Sequence, residues 1–210
     1  MLSNKTYSEK NDALLLAHAA ALLVLSLLVA VQGVFEIIDY MPHIISAGCV
    51  TCAAYTASIP ATLIMYIWFS VSAAVYYYRS SQKMFRLIPL MCIIGVAPSL
   101  VYDLSFIAEN GFVSGGEYNI TVYLVMDILL LLDAVVMIQL VRGAMSRTAA
   151  LLCPLVYLIT GLIYFSSVFV FYGSVEGTNF MGYYFCNSVT NIVFSLSLFR
   201  LVNVIYPQKQ

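Results

Sequence analysis

The stretch DILLLLD, Asp127 to Asp133, sets two carboxylates in a run of leucines, and Asp103 stands in a similarly apolar stretch upstream. A carboxylate in a hydrocarbon setting binds a cation, carries a proton or pairs with a base, because an ionised and unpaired acid there costs several kcal/mol. Asp103 and Asp127, with Asn187 and Asn191, make a candidate polar ring for a cation, an amine or a proton, and Glu36 and Asp39 stand at its mouth. Asn187 and Asn191 are four residues apart and share one helical face. Asp127 and Asp133 are six apart, which turns them about 120° from each other around a helix. They need not serve one site. Asp133 is expected to form an intramembrane ion pair with Arg200, with a proton or ion step as the alternative, and His18 can join them. The bland alternative for Asp103 and Asp127 is that they flank a short hairpin, where water reaches them by local thinning of the bilayer or a neighbouring tyrosine accepts a proton-bearing carboxyl.

The five cysteines offer a second chemistry. Cys49-Val-Thr-Cys52 has the CxxC spacing of a redox dithiol, and Cys186 is expected near its level. Membrane oxidoreductases that form disulfides place such a pair near a helix start, but they also need a second pair to relay electrons. Cys92 and Cys153 lie toward the other ends of their segments, so small-residue packing or a structural disulfide is the stronger expectation. No metal-ligand spacing, phosphate loop, cofactor motif or Ser-His-Asp set is present, and no catalytic residue is assigned. A net charge of −1 gives no basic surface for nucleic acid.

The elements that must position these groups follow from composition. The chain is 62% hydrophobic and 9% charged, against about 25% charged residues in a soluble domain. It reads as an all-α polytopic membrane protein, one integral domain of six transmembrane helices. Spans of about 20 apolar residues fall near 13–35, 61–78, 87–108, 120–141, 148–172 and 180–205. The first run is too long for the h-region of a cleaved signal peptide. Lys5, Lys10, Arg79, Lys83, Arg86, Arg142, Arg147, Arg200 and Lys209 all fall on one side of this scheme, and the opposite loops carry only acids. By the positive-inside rule both termini are cytoplasmic, and the expected location is the plasma membrane.

Tyr40 to Tyr78 contains no charged residue and is too long for one span, with Pro60 dividing it. A seventh span at 41–58 would put Arg79, Lys83 and Arg86 outside, so 41–58 is expected to be an outer loop that dips into the bundle. Pro89, Pro98 and Gly95 in the third span, and Pro154 in the fifth, free carbonyls that can face a polar cavity. Ala17 and Ala21 give the first span a small-xxx-small packing face.

The function expected is binding or moving a small cationic or proton-coupled solute through an outward-facing acidic pocket. The alternative is a membrane sensor or accessory subunit that signals to a partner subunit or works as a homo-oligomer; the second alternative is a thiol oxidoreductase using Cys49 and Cys52. Six spans in about 200 residues with an outward polar pocket are broadly similar in architecture to the substrate-capture subunits of energy-coupling transporters, without a shared motif.

Overall fold

A computed structural model describes residues 2–111, 120–171 and 178–207, and every regular element among them is helical. The helices are α1 (Leu2–Ala47), α2 (Val50–Arg79), α3 (Ile88–Asn110), α4 (Ile120–Val141), the single turn α5 (Arg147–Ala150), α6 (Leu152–Phe171) and α7 (Thr178–Ile205), with a 3-10 turn at Lys83–Leu87 before α3. Six are long and apolar enough to cross a membrane. Side chains such as Val24, Leu28, Val71, Val101, Leu132, Val135 and Leu162 are exposed on their outer faces, an arrangement suited to hydrocarbon and not to water.

The breaks between helices have local causes. Gly48 takes φ 60, which ends α1, and Cys49 in extended conformation caps α2. Ser80 takes φ 50 and passes its N–H back to the Tyr76 carbonyl at 2.7 Å. Such left-handed residues end helices by satisfying a carbonyl of the last turn.

The expected outer loop at 41–58 is instead helical on both sides of the short Gly48–Cys49 break. Nothing in the preceding sequence stops the first helix, because Pro42 is tolerated within it. At 46 residues α1 is about 69 Å long, more than twice the thickness of a hydrocarbon core. The chain still reverses at Gly48, so the extra helix adds no seventh crossing.

The six long helices close a ring in the order α1, α2, α3, α4, α6, α7 and back to α1. Hydroxyls tie the ring together by donating to main-chain carbonyls of neighbouring helices: Ser70 to Ala19 at 2.8 Å, Ser188 to Gly161 at 2.7 Å and Ser195 to Pro154 at 2.6 Å. In an apolar surround such bonds, with close approach at small residues, supply the association that hydrophobic burial cannot. The face of α1 that packs inward carries Leu15, Ala19, Leu22 and Ser26. Ala17 and Ala21, expected there, are exposed; the alanine that matters is Ala19, offset by two residues and therefore on the other side of the helix.

One end of the ring collects basic residues. Asn11 donates to the Arg200 carbonyl at 3.2 Å, Tyr76 to Asp12 at 3.3 Å, and Arg147 to Asn203 at 2.9 Å, so the start of α1 and the ends of α2 and α7 share that end. At the other end Thr51 donates to Glu109 at 2.7 Å. Inside the ring, Phe194 of α7 is packed edge-on by Tyr66, Phe69 and Tyr157, at centroid distances of 5.4, 5.1 and 4.7 Å. These four rings form a plug, and below it, toward the basic end, the core is apolar: Met137, Leu140, Leu198 and Leu201 are all fully buried.

Candidate functional site

Alongside that aromatic plug the ring interior is polar. A cavity of about 70 Å³ is lined by Ser58, Thr62 and Tyr66 of α2, Ser99 of α3, Asp127 of α4, Thr160 and Tyr164 of α6, and Asn187 and Asn191 of α7, among others. That is room for about two waters or one small cation, since a water occupies about 30 Å³ of liquid. A smaller space of about 20 Å³ adjoins it through Ser58, Thr62, Tyr66 and Asn187, and reaches Ser26 of α1.

Each polar group is there for a local reason. Pro98 interrupts the ladder of α3, and one turn away the Gly95 carbonyl accepts from the Thr62 hydroxyl at 3.3 Å. Gly95 also leaves room for Met65, whose Sδ would lie 3.0 Å from a Cβ at that position. Asn191 donates to the Asn187 carbonyl one turn back at 2.9 Å and accepts from the Tyr66 hydroxyl at 3.4 Å. Its amide is thereby held between α2 and α7. Ser99 donates to the Asp127 carboxylate across the α3–α4 contact. The other Asp127 oxygen is buried with no hydrogen-bond partner among the described residues. An acid so placed is an expensive group in an apolar surround unless a cation, water or proton meets it.

The structure brings Asp127, Asn187 and Asn191 to one cavity. Asp103 is buried to 1% exposure and is not among the residues lining it. Stepping one turn from the Ser99–Asp127 contact along both antiparallel helices puts Asp103 at the level of Tyr123. Tyr123 in turn packs on the cavity residue Tyr164, with centroids 5.7 Å apart. The side chains of Glu36 and Asp39 lie outside the described residues.

Asp133 and Arg200 are not paired. The Cys153 thiol donates to Asp133, and the Cys92 thiol and Tyr157 hydroxyl lie close enough to feel its charge. Arg200 lies beside His18, which hydrogen-bonds the Leu196 carbonyl, on the side of α7 that packs on α1. The ring order explains this: α4 is flanked by α3 and α6, whereas α7 presents Arg200 to α1.

Cys49 and Cys52 are joined in a disulfide at the start of α2, and the Cys52 N–H also donates to Cys49 Sγ at 3.1 Å. Thr51 meets Glu109, so the buried Cys92 lies about 26 Å further along α3. That gap is beyond direct thiol exchange with Cys49 or Cys52.

Comparison with protein families, curated proteins and solved structures gave no match. The chemistry of the cavity therefore carries the functional argument alone. Among the described residues no group of three or more His, Cys, Asp or Glu side chains is placed to hold a metal ion.

The signal missed in the sequence was the role of Tyr66, Tyr157 and Thr160. Each falls in an apolar stretch, and only the ring closure turns these three inward together.

Proposed function

We propose that this chain is a multi-pass membrane protein that binds a small cationic or proton-coupled solute in the Asp127 cavity, entering from the side that carries the acidic loops. Its termini face the cytoplasm, because the basic residues gather at the terminal end of the ring. The plasma membrane is the location that fits this orientation. The observation that carries the proposal is Asp127 itself: a carboxylate lining a cavity of about 70 Å³, with one oxygen lacking a hydrogen-bond partner among the described residues and two asparagines opposite. Charge attraction from Asp127 and carbonyl oxygens from Asn187 and Asn191 suit a compact cation.

Methylammonium is the test probe, since its size suits the cavity. Vesicles holding the purified chain are expected to bind and take up labelled methylammonium, and Asp127→Asn is expected to weaken binding about tenfold or more while the fold stays intact, because amide and carboxylate differ mainly in charge. Unchanged binding in Asp127→Asn would remove the cation site. Binding without uptake would favour the sensor or accessory-subunit reading, in which a partner subunit completes the task.

A further inference from the structure

The space of about 20 Å³ that adjoins the Asp127 cavity has a different lining. Val29 and Ala30 of α1 and Ile59 and Leu63 of α2 give it aliphatic walls, with Ser26, Ser58, Thr62, Tyr66 and Asn187 between them. Each of its four hydroxyls donates its proton within the fold: Ser26 to the Leu23 carbonyl at 2.8 Å, Ser58 to the Tyr55 carbonyl at 2.7 Å, Thr62 to the Gly95 carbonyl at 3.3 Å and Tyr66 to Asn191 Oδ1 at 3.4 Å. A water in this annex meets no hydroxyl donor, and the aliphatic side chains offer it nothing. An alkyl group is the better occupant.

The larger cavity suits the opposite end of a molecule. There Thr160 donates to the Val156 carbonyl at 2.9 Å, and the Asn191 amide nitrogen donates to the Asn187 carbonyl at 2.9 Å. Thr62 Oγ1, Thr160 Oγ1 and Asn191 Oδ1 keep acceptor capacity, and Asp127 adds negative charge. The Tyr157 hydroxyl, also at this cavity, is buried without a hydrogen-bond partner among the described residues. The matching ligand end is positive and carries N–H donors. Because Ser58, Thr62, Tyr66 and Asn187 line both spaces, one molecule can occupy the two together.

We propose that the solute is a short-chain primary alkylammonium, with its ammonium group at Asp127 and its tail in the annex between α1 and α2. The proposal rests on the cation reading of the cavity and names the chemical class of the solute. Ammonium N–H groups bond Asp127 and the acceptors around it, which a quaternary ammonium cannot do. The tail leaves water for Val29, Ala30, Ile59 and Leu63, and each methylene so placed adds affinity. At about 20 Å³ the annex admits about two carbon atoms beyond the one that a methylammonium brings into the cavity, which sets the best tail at propyl.

Labelled methylammonium is bound to the purified full chain in detergent and displaced by unlabelled amines. The displacing concentration is expected to fall about twofold to fourfold for each methylene from methyl- to propylammonium, and to fall no further at butyl- or hexylammonium. Tetramethylammonium is expected to need about tenfold more than methylammonium, since it has the charge without the N–H groups. Ala30→Leu fills the annex and is expected to bring the propyl-to-methyl ratio close to one. Ile59→Ala enlarges the annex and is expected to make butylammonium tighter than propylammonium, and it decides the matter if Ala30→Leu binds no amine.

Ethyl- and propylammonium no tighter than methylammonium would overturn the tail assignment and leave the cation reading intact. So would tightening that continues unbroken to hexylammonium, the mark of partition into the micelle, or a chain-length profile that neither variant alters. Tetramethylammonium as effective as methylammonium would overturn the N–H donor head. A wild-type chain that binds no labelled methylammonium removes the cation reading itself.

Discussion

The Tyr66 hydroxyl of α2 donates to Asn191 Oδ1 of α7 at 3.4 Å, both side chains buried. This contact crosses the inside of the ring and fixes the amide beside the cavity. Tyr66→Phe is expected to weaken methylammonium binding about threefold to tenfold, because Asn191 loses the donor that orients it. Thermal stability in detergent should fall little, since the ring still packs on Phe194. A wild-type affinity in the variant would show that Asn191 needs no such support.

Acid on the side of the acidic loops should weaken cation binding. Protonation removes the charge of Asp127, so occupancy falls as pH is lowered and recovers as it is raised. Binding measured across a pH series should follow this sign in wild type and flatten in Asp127→Asn. A pH response that survives the substitution would place the titrating group elsewhere.

Asp133 and Arg200 should behave as independent residues. Because no contact joins them, the stability changes of Asp133→Asn and Arg200→Met are expected to add to within about 0.5 kcal/mol in the double variant. A larger coupling in reversible unfolding from mixed micelles would reinstate the ion pair.

At Gly161 α6 approaches α7 closely. A Cβ there would lie 2.8 Å from Ile192 Cγ1 and 3.0 Å from the Ser188 carbonyl oxygen. The second neighbour is backbone and cannot give way without moving α7. Gly161→Ala is therefore expected to destabilise the bundle by about 1–3 kcal/mol. Gly95→Ala would meet Met65 at Sδ, 3.0 Å, and Cβ, 3.2 Å, with no backbone atom among the three nearest, and should cost less; melting temperatures of the pair test the ranking.

Labelling reports the orientation. In a background without native thiols, cysteines at Ala53 and Asn110 are expected to react with an impermeant maleimide from outside cells, and cysteines at Gln82 and Ala144 only after permeabilisation. External reaction at Gln82 would invert the assignment.

Much of this was legible from residue types alone. Length and spacing of the apolar runs gave six helices, because an apolar backbone segment of that length must satisfy its own hydrogen bonds and a helix does so locally. The gathering of Lys and Arg on one side needed only counting. Asp127, Asn187 and Asn191 stood out because polar groups in such runs are costly.

Three things depended on the tertiary structure. The length of α1 past residue 35 was hidden, because nothing in 36–47 distinguishes an apolar loop from a helix that a neighbour supports. The partner of Asp133 was misjudged, because charge complementarity names Arg200 while ring order decides which helix faces which, and it puts Cys153 and Cys92 beside the acid. The tyrosines that line and floor the cavity were indistinguishable from packing residues. Each helix carries its own periodicity, but its rotation about its axis is set by contacts with two neighbours at once, and that is information no single segment contains.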